Sequence, residues 1–199
     1  QKTGGEVLAI PHNGNLSNGL MFSVERLNGE PIDLAYAQAR SRWEPLYEVT
    51  QIKGDGEAHS LLSPDDEFAD YGTWDKADIA GFQAKEDAML PYEYARSALQ
   101  VGLQQRQKLG VNPFKFGMVG STDSHTSLMS TREENYFGKM ASGEPAPDRY
   151  KHYVIRSLTG DESLSTFEYE TLASGLAAVW ASDNTRAALI TWGLDEMKW

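Results

Sequence analysis

Short apolar runs, each leading into polar residues that carry carboxylates or imidazoles, restrict the fold of this chain more than any other feature. Glu6-Val7-Leu8-Ala9-Ile10 is stopped by Pro11 and leads into His12. Leu46-Tyr47-Glu48-Val49 carries Glu48 within it, and Phe116-Gly117-Met118-Val119 runs into Gly120-Ser121-Thr122-Asp123-Ser124-His125-Thr126. Runs this short and apolar fit buried strands, and a proline ends such a strand because it has no N–H for the ladder. Between them lie helical patterns. Residues 31–43 begin with Pro31, suited to a first turn, and Asp33, which complements the helix dipole, followed by Leu34, Ala35, Ala37 and Ala39. Residues 91–109 repeat Tyr94, Ala95, Ala98, Leu99, Gly102 and Leu103 at three-to-four spacing, with Gly110 as the stop. Residues 169–181 are expected to form a further helix with Leu172, Leu176, Ala177 and Val179 inward. Asp183 or Asn184 would cap a last helix running toward Trp199. This alternation predicts an α/β fold of parallel strands with helical crossovers, either open or closed into a barrel.

Composition narrows the chemistry. With 199 residues, 40% hydrophobic, five Trp and nine Tyr, the chain can bury the core of one domain. It has no cysteine, so disulfides and thiolate zinc sites are excluded and any metal must take nitrogen and oxygen ligands. A net charge of −11 without a basic stripe argues against nucleic acid as the main partner. No apolar run approaches the ~20 residues of a membrane span. Residues 50–88 form a long irregular stretch, of the kind that is functional or carries small elements of its own. The chain opens on Gln1 without an initiator Met and closes on Trp199 inside a helical pattern. It is therefore expected to be a segment of a longer protein, incomplete at both ends. No targeting signal is visible in it, which leaves a periplasmic or secreted location in a bacterium open.

In parallel α/β folds, sites are built at the C-terminal ends of strands. The sequence puts His12, Glu48, Asp123 and His125 at three such ends. Asp-x-His alone is weak, because it occurs often by chance. Two imidazoles and two carboxylates together suit Zn, Mn or Fe, and a bridging Glu48 would suit a centre with more than one metal. Such cations activate a water and stabilise charge developing on a phosphoryl group. The alternative is a solvated Glu48 and two unrelated histidines in the core or at caps. His59, in the long irregular stretch, could supply a ligand or a substrate contact, or be a solvated loop residue. His152 has the surroundings of a surface residue. Ser121 and Ser124 lie near His125, yet no nucleophile elbow surrounds them. Gly4-Gly5 lacks the rest of a phosphate-cradling loop.

Pro11-His12-Asn13-Gly14-Asn15-Leu16-Ser17, Tyr47-Glu48-Val49-Thr50-Gln51-Ile52-Lys53-Gly54 and Gly120-Ser121-Thr122-Asp123-Ser124-His125-Thr126 resemble the PHP (polymerase and histidinol phosphatase) superfamily. The closer likeness is to a large branch of it catalogued as a domain of unknown function. Ser63-Pro64-Asp65-Asp66-Glu67-Phe68-Ala69, Glu133-Glu134-Asn135-Tyr136-Phe137-Gly138-Lys139 and Gly175-Leu176-Ala177-Ala178-Val179-Trp180-Ala181 resemble that branch too. The resemblance implies one PHP-like domain over residues 1–199, part of a distorted (β/α)7 TIM-like barrel with two or three metal ions at the strand C-termini. It implies a phosphoesterase with a metal-activated water. His12 would match the superfamily's mid-chain histidine, Glu48 its bridging glutamate, and Asp123 with His125 its last motif. Glu48, Asp123 and His125 would be catalytic. The superfamily's opening His-x-His and its later Asp-His have no counterpart here, so the remainder of the polypeptide would complete the site. Asn13, Asn15, His59, Lys139 and Arg149 are the expected contacts to a small anionic substrate. The rival functions are hydrolysis of an amide or sulfate ester by the same chemistry, and a metal-stabilised binding domain without catalysis.

Overall fold

The structure is a computed structural model that describes residues 8–127, 132–140, 144–172 and 175–189. Its central sheet has three strands: β1 (Leu46–Gln51), β2 (Gly54–Asp55) and β3 (Gly117–Gly120), in the order β2-β1-β3. β1 and β3 are parallel, with Leu46 opposite Gly117 and Glu48 opposite Val119. The register slips between Glu48 and Thr50, so Gly120 faces Thr50. A Cβ on Gly120 would stand 2.8 Å from the Thr50 methyl, so a side chain here would have to displace Thr50. The seam continues past the strands, with Ser121 N donating to Thr50 O at 3.1 Å and Ile52 N to Thr122 O at 3.1 Å.

Helix α1 (Leu34–Trp43) starts later than expected because Asp33 caps it, its carboxylate accepting from Tyr36 N at 2.8 Å. Helix α2 (Ala95–Leu109) forms the predicted crossover between the parallel strands. A 3-10 turn over Leu90–Tyr92 and an extended Tyr94 precede it, so the α-helix begins at Ala95 and not at Pro91. Gly110 ends it at φ 79, the left-handed conformation that glycine adopts without penalty. Ala95, Ala98 and Gly102 face inward, whereas Leu103 is exposed.

The core lies between α2 and the β1/β3 pair. Phe22 makes ring contacts with Tyr47 at 5.0 Å, Phe114 at 5.5 Å and Phe116 at 5.4 Å, and Ala95 and Ala98 close the cluster. The Arg40 guanidinium of α1 lies 4.8 Å from the centre of the Phe114 ring and covers the cluster's outer side.

The barrel expectation is corrected. Among the described residues there is no closed barrel: the chain folds as a small α/β domain with one mixed sheet and a separate antiparallel pair, β4 (Tyr153–Ile155) with β5 (Thr166–Phe167). The physical reason is at the edge of β1. There the chain turns back through Ile52 and Lys53, and β2 pairs antiparallel with Thr50 and Gln51, taking the edge a further parallel strand would need. The run at residues 6–10 is no strand over its described part, 8–10. It passes alongside, with Ala9 N bonded to Trp43 O at 2.9 Å and Glu48 N to Pro11 O at 3.0 Å.

The helix expected over 169–181 is also absent from its described residues. Leu172 N donates to Ile52 O at 3.1 Å, which draws that backbone out against the end of β1. Beyond it Gly175 sits at φ 96, and Leu176, Val179 and Trp180 are exposed. Residues 186–189 are helical, and the expected continuation toward Trp199 lies outside the described residues. No helix among the described residues is long and apolar enough to cross a membrane.

A buried ion pair ties the turn after His12 to the start of α2. Glu93, fully buried, accepts from Lys85 Nζ at 2.6 Å and from Gly19 N at 3.0 Å, and Lys85 also donates to Asn15 O at 2.9 Å. Removing one partner leaves an uncompensated buried charge. Lys85→Met is expected to lower unfolding free energy by about 3–5 kcal/mol in urea titrations. The double variant Lys85→Met/Glu93→Leu should recover part of that loss.

Candidate active site

The β1/β3 pairing brings the four sequence-predicted ligands to one end of the sheet as two pairs. In the first, His12 Nδ1 is 3.6 Å from Glu48 Oε2. His12 follows the segment that runs beside β1, and Glu48 lies within β1. Both Glu48 oxygens are held: Gln51 Nε2 donates to Oε2 at 3.0 Å, and the Ser121 hydroxyl donates to Oε1 in a close contact. In the second pair, His125 Nε2 is 3.3 Å from Asp123 Oδ1. Asp123 has φ 50, a left-handed conformation that Asp adopts more readily than most residues. Both histidines are about half exposed, at 51% and 52% of their side chains, although His12 Nδ1 lies 2.9 Å from Asn13 Nδ2 and 3.2 Å from Gln51 Nε2.

Two buried lysines complete the second pair. Lys53 and Lys139 both donate to Asp123 Oδ2, Lys139 at 2.6 Å and Lys53 in a closer contact. Lys139 Nζ is also 3.0 Å from His125 Nε2. Burial pushes the Asp123 carboxyl up, and the hydrogen bonds from Lys139 and Lys53 outweigh this and hold it well below the usual carboxylate range. Lys139 is less basic than a free lysine, first because of its burial and then because Lys53 repels it, despite the shared carboxylate.

Ligand bonds of ~2.1 Å in a tetrahedral arrangement put neighbouring donors ~3.4 Å apart. The spacings of 3.6 Å and 3.3 Å match that edge. Beside His12, Asn13 Oδ1 and Gln51 Oε1 are buried oxygens with no hydrogen-bond partner. His12 and Glu48 therefore fit such an ion with one nitrogen and one oxygen, whereas at Asp123 and His125 an ion would have to displace the Lys139 ammonium, 2.6 Å from Asp123 Oδ2 and 3.0 Å from His125 Nε2. Among the described residues, no group of three or more His, Asp or Glu side chains converges on one point.

The remaining predicted contacts fall in different places. Asn13 Nδ2 is 2.9 Å from His12 Nδ1, which puts it in the first pair. Asn15 is buried, and its Nδ2 donates to Lys53 O at 3.1 Å, so it fixes the backbone that carries Lys53. His59 is buried with Nε2 3.3 Å from Asp75 Oδ2, and it lines a separate cavity of about 320 Å³ with Tyr94 and Arg96. Arg149 bonds Glu168 O at 3.0 Å and lies 3.0 Å from Glu144 Oε1, with no bond to Asp123. Sequence reasoning missed Gln51 and Lys53. Both belong to the stretch just past Glu48, and a polar or charged side chain at a strand's C-terminal end was the signal available for them.

The lowered Asp123 carboxyl stabilises the fold above its unfolded value of ~3.9, and this contribution is lost as pH falls through the lower folded value. Asp123→Asn removes it. The variant's urea midpoint should fall less than the parent's between about pH 5 and pH 3. Equal slopes in the two proteins would refute the lysine clamp.

A family model described as "Protein of unknown function (DUF3604)" matches residues 1–192. No curated protein and no solved structure matches the chain.

Proposed function

This chain belongs to the DUF3604 family, and on that footing we propose that it is a metal-dependent hydrolase acting on phosphoesters, of the wider PHP kind. The observation that carries the reading is the juxtaposition, across one parallel strand pair, of His12 with Glu48 and of Asp123 with His125 at cation-edge spacing. The orphaned oxygens of Asn13 and Gln51 beside His12 support it.

His12, Glu48, Asp123 and His125 would hold Zn, Mn or Fe, with two or three ions in the complete site. When bound, such ions supply an activated water and polarise a phosphoryl oxygen. The chain's own residues set the conditions for that chemistry. Gln51 and Ser121 fix the orientation of Glu48 by engaging both of its oxygens. Lys53 and Lys139 hold the Asp123 carboxylate ionised through their hydrogen bonds to Oδ2. The half-exposed histidines leave an open approach for a small anionic substrate.

The test is turnover of a panel of phosphomonoesters, phosphodiesters, amides and sulfate esters by the protein supplied with Mn or Zn. Asp123→Asn/His125→Ala should lower phosphoesterase kcat/KM by at least about 100-fold, and a chelator should do the same to the parent. Full turnover in the double variant would sink the reading.

A further inference from the structure

We propose that the Lys139 ammonium holds the cation position between Asp123 and His125 until a metal ion displaces it. The site then loads its ions in order, first at His12 and Glu48, and more weakly at Asp123 and His125 as Lys139 swings out. This order rests on the reading of the four residues as metal ligands. Lys139 Nζ stands where three ligand atoms converge: Asp123 Oδ2 at 2.6 Å, His125 Nε2 at 3.0 Å and, in a short contact, the Asp123 carbonyl oxygen. Its side chain is only 4% exposed. Lys53 meets the pair through Asp123 Oδ2, whereas Lys139 spans both of its members. An imidazole nitrogen has one lone pair, so an ion on His125 Nε2 and the Lys139 group compete for the same place. A divalent ion and an ammonium this close also repel each other.

The first pair is different. The groups against His12 Nδ1 are amides, Asn13 Nδ2 at 2.9 Å and Gln51 Nε2 at 3.2 Å, and Gln51 Nε2 also donates to Glu48 Oε2 at 3.0 Å. An amide carries no net charge to repel an ion. Asn13 and Gln51 each have a buried oxygen without a hydrogen-bond partner, so turning the amide offers an oxygen where the N–H group stood. An ion therefore enters at His12 and Glu48 without displacing a cation. At the second pair the backbone of the gate is fixed. Glu168 Oε2 accepts from Lys139 N at 3.2 Å, and His125 N donates to Lys139 O at 2.9 Å. Release falls to the flexible four-carbon stem of the side chain. Because the backbone stays in place, the ammonium returns to the same point when the ion leaves.

The probe is Zn alone, titrated calorimetrically at fixed pH into the chelator-treated chain and into Lys139→Met, Lys139→Arg and His12→Ala. Melting temperature is recorded for each. The parent should show a tighter and a weaker step, and His12→Ala should lose the tighter one. Lys139→Met should tighten the second step by about tenfold or more and leave the first unchanged, with Lys139→Arg staying near the parent. A lysine that only braces the pair predicts the opposite, because its loss would loosen the ligands. The unmutated chain supplies a second readout. Lys139 should resist acylation by acetic anhydride without Zn and become labelled, as read by mass spectrometry, once the second ion binds. A second step that is equal or weaker in folded Lys139→Met, or Lys139 unlabelled with both ions bound, overturns the gate and leaves the metal ligands standing. Absence of any Zn binding in both the parent and Lys139→Met overturns the ligand reading and the gate with it.

Discussion

The parallel pairing of β1 with β3 is the constraint on which the rest of this structure depends. It is short, with four registered positions and a slip after Glu48. The Phe22, Tyr47, Phe114 and Phe116 cluster anchors it from below, and α2 packs across it through small residues. The seam then runs on through Ser121 and Ile52, so the two loops leaving the strands travel side by side. That is why Ser121 meets Glu48 and why Lys53 meets Asp123. A one-residue change of register would send these side chains to opposite faces.

The electrostatics follow from that closeness. The sheet end gathers two carboxylates, two ammoniums and two imidazoles in a chain whose net charge is −11. Lysines in an acidic protein have many solvated partners to choose from. Lys53 and Lys139 are instead buried on one carboxylate, where burial and mutual repulsion work against them. The hydrogen bonds from Lys139 and Lys53 outweigh the burial of Asp123, and its carboxyl stays ionised to unusually low pH. The stability this gives the folded chain is offset in part by the cost of burying both ammonium groups.

Much of the local structure was legible in the sequence. Asp33 and Gly110 bound their helices through capping chemistry that depends on the residues alone. The apolar runs around Leu46 and Phe116 gave strands in parallel, as the intervening helical pattern required. The chain topology beyond that pair was not legible. Whether β1 takes a parallel or an antiparallel second neighbour is decided by the turn at Ile52 and Lys53, which carries no strong sequence signal. The pattern at 169–181 has helical periodicity, but a hydrogen bond from Leu172 to Ile52 overrides it. At the site, Asp123 and His125 follow the end of β3 as the sequence suggested, whereas His12 follows a run that is no strand over its described part and Glu48 lies inside β1. The part played by Lys53 depends on a contact across 70 positions of sequence, which periodicity cannot express.

The central claim is that the two donor pairs hold a metal ion, and elemental analysis of the protein purified without chelator addresses it directly. The parent should retain close to stoichiometric Mn, Fe or Zn, and a variant with His12→Ala and Asp123→Asn should lose it while keeping its circular dichroism spectrum. Metal at the same level in both proteins, or in neither after exposure to excess Mn and Zn, would contradict the account.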